Sequence, residues 1–207
     1  MSRYLTLAGQ HIHHTQLQLV GVAAMFVAAK IEELYSPEIA DFVYITDDAY
    51  NKKEIRHMER TIINTLQFDL YPPISINFLR RFSKAGGADY TQHNIAKYIL
   101  EQALLDYTLV SSPASRTAAA ALYLSLLITK NSDHVSVWNK NLQYYSSYSC
   151  QDLLPTVSML AKMMNKALAN TKLQAVRNKY SSSKFMHVAQ LPQLQGCIQH
   201  DPCKMVC

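Results

Sequence analysis

The sequence predicts an all-α protein of two tandem helical units of one design, the first of them incomplete at its N-terminus. Three observations carry this. Apolar residues recur at helical spacing along most of the chain, and no β-alternation of useful length competes. Turn residues are scarce, with five glycines and seven prolines in 207 residues. That is about half the usual share and too few for a sandwich, barrel or propeller. Finally, two stretches 97 residues apart superpose, Val22–Ala28 on Ala119–Ser125. Both are small-residue runs, apolar nearly all round, and such helices belong at the centre of a bundle.

In chain order the spacing predicts helices over 17–34, 37–45, 51–67, 74–84, 91–108, 113–129, 135–146 and 150–169, with a short one near 172–181. Ser36-Pro37 opens the second, placing a capping residue before a proline at the first helical position, and Ser112-Pro113 opens 113–129 in the same way. Asn51, followed by Glu54, reads as a capping box for 51–67; at an offset of 98, Ser149 and Asp152 repeat it for 150–169. Tyr71-Pro72-Pro73 is a stop. It separates a first unit, 1–71, from a second, 72–171, which is followed by a short helix and a basic, cysteine-containing tail over 172–207.

Shifting the second unit back by 97 residues places the start of the first about 24 residues before Met1. The counterpart of 74–84 is then absent, and that of 91–108 is reduced to Ser2–Gln10. The expectation is a truncated, marginal first unit that exposes Val22, Met25, Phe26 and Val27.

Composition excludes several functions. Apolar residues make up 49% and charged residues 17%, which is not a disordered chain. Neither GxGxxG nor GxxxxGK[ST] occurs, so nucleotide-binding enzymes of the usual kinds drop out. The net charge is 20 − 15 = +5, but Asn170–Cys207 holds five basic residues and one acid, leaving about +1 for the body. A nucleic-acid binder shows its basic stripe on the folded body, so no nucleic-acid partner is expected. The longest apolar runs, Leu19–Ala29 and Thr117–Thr129, are short of the ~20 residues a membrane span needs, and no membrane partner is expected.

Cys150, Cys197, Cys203 and Cys207 form no disulfide framework and fit a reducing compartment. Cys197, His200, Cys203 and Cys207 match no usual zinc spacing, so neither metal nor cofactor is expected. His11, His13 and His14 read as a solvated turn. Asp47-Asp48 reads as an acid pair favourable to a following helix start. Ser112 and Ser149 read as caps rather than nucleophiles, and Tyr144, Tyr145 and Tyr148 as packed rings. No catalytic set converges, so the chain is not expected to be an enzyme.

Two charges stand on the wrong faces. On a helix over 17–34, Lys30 falls between Phe26, Leu19 and Ala23 and extends an apolar strip. On 51–67, Glu59 falls inside the arc of Met58, Ile62, Ile55, Leu66 and Ile63. One reading has Lys30 snorkelling and Glu59 at the rim of the core. The other reserves both for a partner, where charges supply register and specificity.

The run Leu17–Gly87, with LQLVG, AAKIEELYSPEI, RHMER and FLRR, resembles the cyclin box of a mitotic cyclin. AKYxxE (Ala96–Glu101), LDY (Leu105–Tyr107), SRTAAAALYLSLL and NKYSSSKFM extend the likeness to roughly residues 3–195 and point to the B type. The resemblance implies two five-helix cyclin boxes and a non-catalytic subunit that binds and activates a mitotic cyclin-dependent kinase at the G2/M transition, in nucleus and cytoplasm. It implies that Lys30 and Glu59 bind the kinase, with Ile31, Ile63, Phe68 and Leu70 resting against it. It also implies that Leu17 and Gln18 are a remnant of a groove that docks kinase substrates. The first-box helix with a Met-Arg-Ala-Ile-Leu-like run has no counterpart here, nor has a destruction box. The alternatives are a transcription-factor-IIB-like helical repeat that grips DNA, which calls for a basic body, and a non-functional cyclin fragment.

Overall fold

The computed structural model describes residues 4–5, 7, 12–71, 73–109, 112–129 and 137–197, and all regular structure among them is helical. The chain divides into two compact units, Met1–Pro72 and Pro73–Cys207. His11, His200, Cys203 and Cys207 lie outside the described residues.

The first unit contains α1 (Leu17–Glu32), α2 (Ile39–Ile45) and α3 (Lys52–Thr65). α1 packs against α2 and α3. Its buried side chains form two small clusters. One is Tyr4, Val20, Ala23 and Ile62; the other is Val22, Phe26, Phe42 and Ile55. The expected exposure of α1 is therefore corrected: Val22, Phe26 and Val27 are buried, and only Met25, at 48%, stays open. Phe42 of α2 and Ile55 of α3 cover Val22 and Phe26, with the two phenyl rings 4.9 Å apart. Tyr4 packs against Val20 and Ala23 from the N-terminal side.

The second unit contains α4 (Ser75–Gly86), α5 (Tyr90–Ala103), α6 (Ala114–Thr129), α7 (Lys140–Ser146), α8 (Cys150–Ala169), α9 (Ala175–Tyr180) and α10 (Pro192–Cys197). α6 is the central helix and meets α4, α5, α7, α8 and α10. Its run Ala118–Ala121 is fully buried because alanines let these neighbours approach closely. One continuous core results, in which Leu79, Ile95, Ile99, Leu122, Leu153 and Leu160 are completely buried.

The repeat is realised in the central helix and in the start of a later one. α1 and α6 are both sixteen residues long, and both ends lie 97 apart. α3 and α8 begin 98 apart, each with its capping box: Asn51 Oδ1 accepts the Glu54 N–H at 3.1 Å, and Ser149 Oγ accepts the Asp152 N–H at 3.2 Å. In return Glu54 and Asp152 accept the N–H groups of Asn51 and Ser149, at 2.8 and 2.9 Å.

Some boundaries move for local reasons. Pro37 does not start α2; Glu38 is its N-cap, its N–H bonded to Asp41 at 2.9 Å, while the Ser36 hydroxyl donates to the Ala29 carbonyl at 3.3 Å. Pro113 accepts the first helical bond of α6, from the Thr117 N–H at 3.0 Å, and so stands before the helix. α5 ends at Ala103 rather than 108, because Asp106 captures the Thr108 N–H at 2.9 Å and its hydroxyl at 2.7 Å in a competing turn. α7 starts only at Lys140, where Asn139 accepts the Leu142 N–H at 2.8 Å; residues 135–136 of the expected helix lie outside the described residues. Asp47 and Asp48, at φ 54° and 57°, close α2 through bonds to the carbonyls of Tyr44 and Val43 rather than preparing α3.

Two distant sequence groups meet in the second unit. Glu101, from AKYxxE, accepts Lys179 Nζ at 2.7 Å and the Tyr180 hydroxyl at 3.0 Å, both from NKYSSSKFM. The rings of Tyr98 and Tyr180 lie 5.3 Å apart. These contacts fasten α9 to α5. Burial, and then the bond to Glu101, push the Tyr180 hydroxyl well above its ordinary pKa.

Two predictions follow from the packing. Ten of the sixteen residues of α6 are buried, but only five of the sixteen in α1. Amides of α1 should therefore be protected from hydrogen exchange at least about tenfold less than those of α6; equal protection would show that the small clusters suffice. His93 supplies the second. It shares a 2.8 Å bond between Nδ1 and Ser83 Oγ. Burial, then the charges of Lys97 and Arg80, hold its pKa below 6.5. The unfolded state then binds the proton more tightly, so stability falls as pH drops through 6.5. Thermal melts from pH 8 to 5 should show this loss, and His93→Gln should flatten it.

Candidate functional site

α1 carries Lys30 in its last turn, where a cation suits the helix dipole. Glu59 stands near the middle of α3, on the helix that packs beside α1. Their side chains meet: Lys30 Nζ donates to Glu59 Oε1 at 2.6 Å. The same Nζ lies 3.9 Å from the centroid of the Phe26 ring, one turn earlier on α1, a cation–π contact. The two misplaced charges are thus one ion pair on an aromatic floor.

The pair is asymmetric. The Lys30 side chain is 43% exposed and that of Glu59 only 13%. The carboxylate has given up most of its water and depends on the ammonium. The ammonium still faces solvent, and with three donors it has capacity beyond the one bond to Glu59.

The pair opens onto a cleft of about 580 Å³ lined by Phe26, Lys30, Glu38, Ile39, Arg56, Glu59 and Arg60. Glu38 and Ile39 come from the start of α2; Arg56 and Arg60 flank Glu59 on α3. Three cations and two acids over an apolar base make a surface for polar recognition. Phe26 is visible in the sequence as the residue one turn before Lys30, and Arg56 and Arg60 as the cations one turn before and directly after Glu59. Glu38 and Ile39 are not, because only the turn of the 33–38 loop brings α2 to this face.

None of the other expected site residues lines the cleft beside the pair. Ile31 follows Lys30 and is half-buried; Ile63 is one turn beyond Glu59 and half-buried. Phe68 is 70% exposed, and Leu70 is half-buried. Gln67 and Phe68 both adopt left-handed backbone, φ 50° and 59°, with the Phe68 N–H bonded to the Ile63 carbonyl at 3.1 Å. For a bulky residue this conformation is strained, and the strain holds an aromatic ring out in solvent.

Leu17 and Gln18 stand apart, at the start of α1, thirteen residues from Lys30. At 1.5 Å per residue that is about 20 Å along the helix. Both are exposed, and a second cleft of about 550 Å³ lies between their neighbours Gln16 and Leu19, the apolar Tyr4, Ile12 and Met58, and the polar first turns of α3, including Lys53, Glu54 and His57. The first unit thus has one cleft beside Lys30 at the C-terminal end of α1 and a second toward its N-terminal end.

The cyclin N-terminal domain model matches residues 1–71, and the cyclin C-terminal domain model matches 73–194. The chain is 45% identical over 198 residues to a G2/mitotic-specific cyclin-B of Hydra vulgaris, covering 96% of this chain and 53% of that protein. It is 47% identical over 197 residues to a G2/mitotic-specific cyclin-B2 of Gallus gallus, covering 95% and 48%. The chain spans about half the length of the curated relatives it matches. Among solved structures, a viral cyclin from herpesvirus saimiri superposes with a TM-score of 0.60 at 19% identity, over 81% of this chain and 74% of that one. That likeness shows the shared fold.

Lys30 is 43% exposed, so its own desolvation is small, whereas Glu59 is only 13% exposed and loses its cation when Lys30 is truncated. Glu59→Ala should lower the melting temperature by only a few degrees, and Lys30→Ala, which leaves the carboxylate unpaired, by more, with the helical signal retained in both as read by circular dichroism. A collapse of the fold in either variant would make the pair a structural element of the first unit rather than a recognition site.

Proposed function

The chain belongs to the cyclin family, and from that membership we propose that it is a regulatory subunit that binds and activates a mitotic cyclin-dependent kinase at the G2/M transition. On this reading it has no catalysis of its own and works in nucleus and cytoplasm. The observation that carries the proposal is the Lys30–Glu59 pair on its open, aromatic-floored cleft. The ammonium is exposed and has donors to spare, which suits the backbone carbonyls and acids of a protein partner.

On the same unit, Ile31 and Ile63 supply half-buried apolar contact, Phe68 a projecting ring, and Leu70 the flank. The charges fix register and orientation, and the apolar groups contribute buried area. Leu17 and Gln18 border the groove proposed to retain part of the docking surface for kinase substrates. The DNA-gripping alternative is not favoured, since both halves match cyclin domains and the body is nearly neutral.

The test mixes the chain with a purified mitotic cyclin-dependent kinase phosphorylated on its activation loop and measures histone phosphorylation. The expected result is activity above that of the kinase alone. Lys30→Ala and Glu59→Ala should weaken kinase binding by roughly 2–5 kcal/mol, as truncating one member of a desolvated pair does, with the fold retained. Unchanged affinity in both variants would remove the pair from the interface.

A further inference from the structure

We propose that Ser36 is a phosphorylation site for a proline-directed protein kinase, and that phosphate there disassembles the Lys30–Glu59 site. The proposal rests on the kinase-binding reading for its consequence, but not for its chemistry.

Three observations carry it. First, accessibility: residues 33–38 join α1 to α2 with no regular structure, and every one is exposed, Leu34 and Tyr35 almost fully. Glu33 and Glu38 at its ends are extended, and Pro37 biases Ser36 to the same conformation. An exposed, extended Ser-Pro is what a proline-directed kinase takes as acceptor. The other Ser-Pro step, Ser112-Pro113, is half-buried at Ser112 against the start of α6.

Second, the hydroxyl has a structural task that phosphate cannot perform. Ser36 Oγ donates to the Ala29 carbonyl at 3.3 Å, and the same carbonyl accepts the Glu33 N–H at 3.0 Å. This pair of bonds closes the C-terminal turn of α1. A phosphate oxygen has no proton to give at neutral pH, and it would set about two negative charges against the negative end of a helix dipole. Glu32, Glu33 and Glu38 add to the repulsion.

Third, the damaged turn is the one that holds Lys30. The residue after Ala29 is Lys30, and Glu38, two residues beyond Ser36, lines the same cleft. A phosphoserine anchored beside that turn competes with Glu59 for the ammonium, because a dianion outbids a monoanion for one cation. The transfer itself is ordinary. Ser36 Oγ attacks the γ-phosphorus of ATP, and the new O–P bond forms as the bond to the β,γ-bridging oxygen breaks. ADP departs, and the hydroxyl proton passes to the kinase's catalytic aspartate.

The experiment incubates the full 207-residue chain with ATP and a purified proline-directed kinase, then locates phosphate by mass spectrometry. Phosphate is expected on Ser36 and absent from Ser36→Ala. Hydrogen exchange on the phosphorylated chain should show faster exchange at Glu33 and its neighbours in the last turn of α1, with α6 unchanged. Binding to the mitotic kinase should weaken at least about tenfold on phosphorylation, while the same kinase and ATP treatment should leave the affinity of Ser36→Ala where it was before treatment. No phosphate on Ser36, or phosphate that leaves both the Glu33 amide and the affinity unchanged, overturns the proposal. If the unphosphorylated chain fails to bind the kinase, the kinase-binding reading falls instead, and the exchange at Glu33 still decides whether phosphate opens the site.

Discussion

A carboxylate that has left water must have a cation, and in the first unit this requirement ties two helices together at one point. Glu59 is placed among the apolar residues of α3 and Lys30 on the apolar strip of α1; the ammonium keeps part of its water, but the carboxylate keeps little and needs the cation. Packing α1 against α3 supplies it, at 2.6 Å, with Phe26 beneath the ammonium. The cleft, its flanking arginines and the loop that closes α1 are arranged around that contact. A hydrophobic pair at the same positions would pack as well and recognise nothing.

The two units use one design with unequal depth. Each has a sixteen-residue central helix and, 98 residues apart, a capping box that starts a later helix. In the second unit the central helix meets neighbours on every side and needs small residues along its length. In the first, α1 is buried along two short patches and open elsewhere. Openness is costly to stability and necessary for binding: a helix sealed all round has no face to offer. The deep core of the second unit and the exposed charged face of the first are two uses of the same helix.

Much of this was legible in the chain. The fold class, the repeat and the helix cores follow from periodicity, because burial of an apolar stripe dominates helix placement. The capping boxes follow from single residues three apart. Lys30 and Glu59 were visible because a charge on an apolar arc violates the pattern. Their mutual contact was not, since projection of one helix says nothing of what faces it. The same limit explains Val22, Phe26 and Val27, read as exposed but covered by Phe42, Ile55 and the rest of the bundle. Boundaries were missed where a side chain competes with the backbone, as Asp106 and Asn139 do, and where Ser36 turned from cap to clamp.

The strained turn after α3 follows the same logic. Gln67 and Phe68 stand in left-handed backbone, a conformation that costs roughly 1–2 kcal/mol per non-glycine residue. A glycine at either position would relieve it. What the present residues do instead is reverse the chain with a bond back to Ile63 and set the Phe68 ring in water on the same unit as Lys30 and Glu59. Exposing an aromatic ring through a strained backbone is unfavourable twice over in the isolated chain. Both costs are offset if a partner covers the ring, because burial of its area stabilises by about 1.5–3 kcal/mol. The ion pair and Phe68 thus have the same physical signature: each is a local departure from what the folded unit alone prefers, and each gains when a partner covers it.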